Sequence, residues 1–166
     1  MIRPLNEHDL EEFVRLRMEG LRRYPWAFGA SVEDGIDREK TTKDLAAKNA
    51  ENFILGFFEG SQMLGMIGFI RLKRTKLMHR GFIWGMYVDP AHQGKGIGRA
   101  LMQACLDKAR QIEGLRLIAI SVMEPQEAAW HLYKAFGFEE EGRMKNALQV
   151  QGEYADEIML SLWWGE

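Results

Sequence analysis

Cysteine occurs once in these 166 residues, so no intramolecular disulfide framework can hold the fold, and a reducing compartment suits the chain. Cys105 falls on the apolar face of a helical pattern and reads as a packed thiol rather than a nucleophile. The four histidines, at 8, 79, 92 and 131, are scattered, and none sets up a metal-ligand spacing, so no metal is expected. No apolar run is long enough to span a bilayer, and the opening MIRPLNEHDL has no apolar signal core. Neither sign of charge dominates. A formal net charge of -2 gives no general attraction to nucleic acid or an anionic membrane. Repeats, low-complexity tracts and linkers are missing as well. These absences leave a cytoplasmic globular protein, expected to form a single domain over 1–166.

The stretch around which the chain is organised is Gly81–Gly98, GFIWGMYVDPAHQGKGIG. Gly81–Val88 predicts a buried strand, and Asp89-Pro90 stops it because proline cannot donate to a ladder. Gln93-Gly94-Lys95-Gly96-Ile97-Gly98 then opens a helix over Ile97–Ile112, whose inner face is Ile97, Ala100, Leu101, Ala104, Cys105, Ala109 and Ile112. A glycine-rich loop at a helix start presents unpaired N–H groups and the positive end of the helix dipole. Without Cβ atoms those amides can approach an anion closely. This is a diphosphate cradle, unless it is an ordinary strand–turn–helix corner. Glycines at 94, 96 and 98 fit neither the GxGxxG dinucleotide fingerprint nor a GK[ST] P-loop.

Met1–Pro4 predicts a first strand. Asn6 caps a helix with Asp9 in its first turn; Leu10, Phe13, Val14, Met18 and Leu21 face inward, and Arg15, Arg22 and Arg23 face solvent. Tyr24-Pro25 ends it, and Trp26–Ile36 is a loop. A second helix is expected around Arg38–Ala50 with Leu45 and Ala46 inward, then a hairpin of strands at Asn52–Phe58 and Met63–Arg71. Leu72–Arg80 is a basic, solvated connection. After the central helix, Gly114 serves as its C-terminal glycine. The nearly unbroken apolar run Leu117–Val122 suits a strand covered on both faces, completing a βαβ unit with the strand and helix before it. Pro125 fits the first turn of another helix, with Ala129, Leu132, Tyr133 and Phe136 inward and Gly137 at its end. A solvated acidic run Glu139–Glu141 and two strands, around Arg143–Val150 and Tyr154–Trp164, close the chain.

Gln93, Gly96 and Gly98 fill the pattern Q/R-x-x-G-x-G/A and, with the preceding MYVDP, resemble the acyl-CoA signature of the GNAT superfamily N-acetyltransferases. Ser121–Phe138, SVMEPQEAAWHLYKAFGF, is similar to that family's second signature, matched at Val122, Ala129, Leu132, Tyr133, Gly137 and Phe138. Gln126 stands where the family usually has Asn; it keeps the amide and adds one methylene. The resemblance implies an α/β fold: a mixed, mostly antiparallel sheet of about seven strands with helices on both faces. Its fourth and fifth strands, here Gly81–Val88 and Leu117–Val122, splay apart to admit acetyl-CoA; Gly85 is then a candidate for the bulge that opens the gap, with simple close packing as the alternative.

The resemblance further implies transfer of acetyl to a primary amine by direct attack on the thioester, with acetyl-CoA as co-substrate. Met86, Tyr87 and Val88 would meet the acyl and pantetheine part, and Gln93, Gly94, Lys95, Gly96, Ile97, Gly98 and Arg99 the diphosphate; Gln126 and Tyr133 complete the donor site. Tyr133 is the expected general acid, since a tyrosine carries its proton at neutral pH; a hydrogen-bonded core tyrosine is the alternative. The strand holds no carboxylate to act as base, which leaves Glu124, His79 or a water chain as candidates, or an amine that arrives neutral. Trp26, Phe28 and Trp84 could wall the acceptor. The expected partner is a small-molecule amine. A peptide acceptor, a non-catalytic acyl-CoA sensor and a homodimer stay open.

Overall fold

The computed structural model describes residues 1–124 and 126–165. The chain runs β1 (Ile2–Pro4), α1 (Leu10–Arg23), α2 (Arg38–Ala46), β2 (Asn52–Glu59), β3 (Gln62–Arg71), β4 (Arg80–Val88), α3 (Ile97–Arg110), β5 (Leu117–Met123), α4 (Glu127–Ala135), β6 (Glu139–Val150) and β7 (Glu153–Trp163). The seven strands form one sheet in the order β1-β2-β3-β4-β5-β7-β6, in which only β4 and β5 are parallel. The expected mixed, mostly antiparallel sheet is therefore found.

Strand alternation distributes the apolar side chains between two clusters. Phe53, Leu55, Leu64, Ile67 and Ile83 join Leu101, Met102 and Cys105 of α3 and Tyr133 of α4. Ile54, Met63, Met66 and Tyr87 join Phe13 and Leu16 of α1 and Leu45 of α2. The helix pairs α1/α2 and α3/α4 thus cover opposite faces. Cys105 is fully buried, and burial pushes its thiol up to about 12, as expected of a packing residue.

Local signals place most boundaries. Asn6 caps a single 3-10 turn whose Asp9 side chain reaches back to the Asn6 N–H, and this turn leads into α1. Several expectations are corrected. Helix α2 stops at Ala46, because Asn49 closes a turn by accepting from the N–H groups of Glu51 and Asn52. Ala46 is exposed rather than inward. Arg15 does not face solvent: it donates to the Met63 carbonyl at 2.6 Å and to Glu12, which itself accepts from the Met63 N–H. That clasp ties α1 to the start of β3. Glu139–Glu141 is exposed as expected, but β6 starts there rather than near Arg143; an edge strand can pair its backbone while its acidic side chains stay in water. Pro125 lies outside the described residues.

Candidate active site

Strands β4 and β5 pair over three residues only, Arg80–Phe82 with Leu117–Ala119. Beyond that, β4 continues against β3 as far as Val88, and β5 against β7 as far as Met123. The inner backbone edges of 83–88 and 120–123 therefore face a gap. The device that turns β4 away is at Gly85. Between the pairs Gly68 to Trp84 and Met66 to Tyr87, β4 spends one residue more than β3, and Gly85 takes φ +63°. This is a bulge with glycine in the left-handed region, where a Cβ would be strained.

The extra residue also switches faces. Trp84 and Tyr87 pack on the α1 side, whereas Ile83, Met86 and Val88 belong to the α3 side. The Tyr87 ring is buried, with its hydroxyl donating to Glu19 at 3.2 Å. Burial, then the Glu19 charge, raises its pKa and keeps it protonated. Tyr87 can thus offer the gap its backbone, not its side chain.

The glycine loop leads from the open end of β4 into α3. Gln93 N–H donates to Pro90 and Ala100 N–H to Gly96, but among the described residues the six amides between them, at 94–99, donate to nothing. Gly94 and Gly96 hold φ +75° and +81°, and a Cβ on either would meet no atom within 4 Å. The loop is therefore uncrowded at both glycines. Lys95 and Arg99 are exposed beside it. The Gln93 amide serves another purpose: it donates to the Val88 carbonyl at 3.1 Å and the Tyr24 hydroxyl at 3.4 Å, fastening the loop to β4 and to the end of α1. At Gly98 a Cβ would stand 3.3 Å from Met86 and 3.8 Å from both Val88 and Leu132, so β4, α3 and α4 converge there.

Tyr133, one residue past Leu132, is 5% exposed, and among the described residues its hydroxyl has no hydrogen-bond partner. Burial raises its pKa, which holds the proton on the oxygen. Glu124 and Gln126 are brought together elsewhere, in a cavity of about 340 Å³ that also takes in Trp130, Arg143 and Ile158 but none of the glycine loop. Glu124 is ion-paired with Arg143 at 2.6 Å. His79 lies at the wrong end for a base: its carbonyl accepts from Arg116 and Leu117 where β4 and β5 are still joined. Phe28 and Trp84 do share one wall, on the α1-side cluster, and Phe28 meets Tyr87 edge-on at 6.4 Å. Trp26 is half-buried in the turn after α1 and is not part of that cluster.

Sequence reading missed Arg17. It lies four residues after Phe13 and four before Leu21, on the inward stripe of α1; a charge within an apolar stripe was the available signal.

A mixed sheet parted between two parallel strands, with a free-amide loop at the mouth of the gap, defines a class of protein built to hold an anionic ligand there. The profile of the acetyltransferase (GNAT) family matches residues 12–138, and the chain belongs to that family. It is 34% identical over 91 residues to a spermidine N(1)-acetyltransferase of Vibrio cholerae, covering 55% of this chain and 53% of that protein. It is 34% identical over 110 residues to the N-alpha-acetyltransferase RimI of Mycobacterium tuberculosis, covering 66% and 65%. The matches thus span between about half and two thirds of these relatives. A putative acetyltransferase of Salmonella typhimurium, solved with acetyl-CoA, superposes with a TM-score of 0.85 at 21% identity, over 100% of this chain and 94% of the other. That likeness shows the fold. The six free amides fit a diphosphate such as that of acetyl-CoA.

Proposed function

We propose that this protein transfers an acetyl group from acetyl-CoA to the primary amine of a small molecule, the amine attacking the thioester directly. The observation that carries the reading is the run of unpaired amides at 94–99, set at the mouth of a gap that β4 and β5 open after three paired residues. Acetyl-CoA supplies the activated acetyl group.

The chain's own groups supply the rest. Amides of Gly94–Arg99 take the diphosphate, and Lys95 and Arg99 add positive charge. Backbone groups of Met86, Tyr87 and Val88 line the gap for the acyl and pantetheine part, and an N–H there can stabilise charge developing on the thioester oxygen. Tyr133 keeps its proton and has no competing partner among the described residues, so it suits the acid that protonates the departing thiolate. Gln126, the residue before α4, makes no side-chain cap bond to that helix, and its amide is assigned to the pantetheine arm on the family resemblance alone. Glu124 is held by Arg143, so the reading does not draw on it: an amine that arrives neutral needs no base. Phe28 and Trp84 wall the acceptor side, and a wall closed by the Phe28–Tyr87 contact suits a small amine; Trp26, outside that cluster, is not assigned to it. One buried thiol and an acetyl-CoA donor are in keeping with the cytoplasm.

The test is free-thiol release from acetyl-CoA across small amines, amino acids and peptides, with calorimetry of acetyl-CoA alongside. Thiol release with small amines and amino acids is expected. Release with peptides alone would move the acceptor class, and tight acetyl-CoA binding with no acceptor turned over would sink the enzymatic reading.

A further inference from the structure

Two arginines near the start of the chain have an acid, and two more, Arg22 and Arg23, are exposed to solvent. Arg3 is clasped by Asp9, and Arg15 by Glu12 and Glu19. Arg17 has none. Its Nη1 is sealed from solvent, and among the described residues it has no hydrogen-bond partner. Burial lowers its pKa, but an arginine starts so high that it stays charged. A guanidinium nitrogen enclosed without a partner is costly, and such groups call for an explanation.

Its surroundings supply one. The guanidinium carbon lies over Phe28, 4.9 Å from the ring centroid, a contact that favours the charge but bonds none of the N–H groups a carboxylate would take. Nη1 stands 3.5 Å from where a Cβ on Gly85 would be, so the cation sits at the bulge where β4 departs from β5. It reaches that point from α1, on the face of Trp84 and Tyr87, whereas Met86, Val88 and the start of α3 carry the donor loop on the other face. An amine attacking a thioester held in the gap has to approach from the face that the donor does not fill. The two acids that act on the Tyr87 hydroxyl are already engaged. Glu19 accepts from Tyr87 and pairs with Arg15; Asp89 accepts from the Ala91 N–H and lies 3.6 Å from His92.

We propose that Arg17 anchors a carboxylate of the acceptor, so that the acceptor is a small amino acid, with amine and carboxylate on one molecule. This deepens the function proposed above and rests on it for the position of the acetyl group. A polyamine would instead bring a second positive charge against an enclosed cation, which like-charge repulsion disfavours.

The experiment compares L-amino acids with their matched decarboxylated amines and amides, in the wild type, Arg17→Met and Arg17→Lys. The wild type should favour the amino acid over its matched amine by on the order of ten- to a hundredfold in kcat/KM. Arg17→Met should collapse that ratio toward one by raising KM for the amino acid, and Arg17→Lys should restore part of it. Acetyl-CoA affinity measured by calorimetry, together with a cooperative melt, reports that the variants are folded. A wild type indifferent to the carboxylate, a preference for polyamines, or equal losses for acid and amine in Arg17→Met would each overturn the proposal. Calorimetry of the amino acids on CoA-saturated protein separates it from the reading beneath it. Carboxylate-dependent binding that Arg17→Met abolishes supports the anchor even where no acetyl transfer occurs; binding that ignores the carboxylate refutes it.

Discussion

Trp84 lies across Gly68 on the neighbouring strand: a Cβ on Gly68 would stand 2.3 Å from Trp84 Cε2 and 2.7 Å from Cδ2 and Cζ2. The indole is a rigid ring and cannot give by that much without turning, and Trp84 immediately precedes the bulge that opens the gap. Gly68→Ala should therefore cost about 1–3 kcal/mol and weaken acceptor binding more than acetyl-CoA binding. Gly142→Ala is the control, since a Cβ there meets nothing within 4 Å. Denaturant melts and KM values for both substrates decide; a Gly68→Ala protein as stable as Gly142→Ala would refute the packing argument.

The glycine loop can be tested against a turn whose glycine also has a positive φ. Gly96 and Gly60 both have positive φ, +81° and +58°, and neither position has an atom within 4 Å of an added Cβ. Alanine at either should lose about 1 kcal/mol to left-handed strain. Only Gly96→Ala should also weaken acetyl-CoA, by roughly tenfold or more, about 1.4 kcal/mol. Equal acetyl-CoA affinity in the two variants would mean that the free amides do not hold the diphosphate.

Tyr133→Phe removes an oxygen that has no hydrogen-bond partner among the described residues, so its melting temperature should stay near that of the wild type. If the hydroxyl delivers the thiolate proton, turnover should fall on the order of a hundredfold or more with acetyl-CoA affinity nearly unchanged. Wild-type turnover, measured where chemistry limits the rate, would remove the tyrosine from the acid role.

Acid stability should report the clasp at the start of α1. Arg3 bonds both carboxylate oxygens of Asp9, at 2.6 and 2.8 Å, and the Asn6 N–H adds a third bond. The Arg3 bonds, more than the Asn6 bond, hold the Asp9 pKa below its ordinary value. A folded pKa below the unfolded one stabilises the protein above the unfolded value, about 4, and that contribution is lost as pH falls through the folded value. Melting temperature should thus be flat near neutrality and drop on acidification below about pH 4. Asp9→Asn should cost about 1–2 kcal/mol at pH 7, since Arg3 is partly solvated, and flatten part of that acid limb. Glu12, lowered by Arg15, supplies another part. An unaltered acid limb in Asp9→Asn would rule the clasp out as its source.

The sequence by itself determined the elements and the free-amide glycine loop, because both depend on short-range rules. Periodicity marked α1 and α3, Asn6 and Tyr24-Pro25 bounded α1, and the glycines at 94, 96 and 98 mark amides left free at a helix start. Tertiary structure decided what those elements meet. Unbroken alternation along β4 would put Trp84, Met86 and Val88 on one face; the Gly85 bulge adds a residue, returns Tyr87 to the side of Trp84, and sends Met86 and Val88 to the other. Glu124 reads as a free base until β6 brings Arg143 against it, and Arg15 reads as solvated until β3 supplies Met63. Leu16, fully buried, and Arg17, enclosed beside Phe28, were not singled out for the same reason. Their partners lie on elements distant in the chain, and whether a charge is neutralised or left waiting depends on which long-range contacts the fold makes.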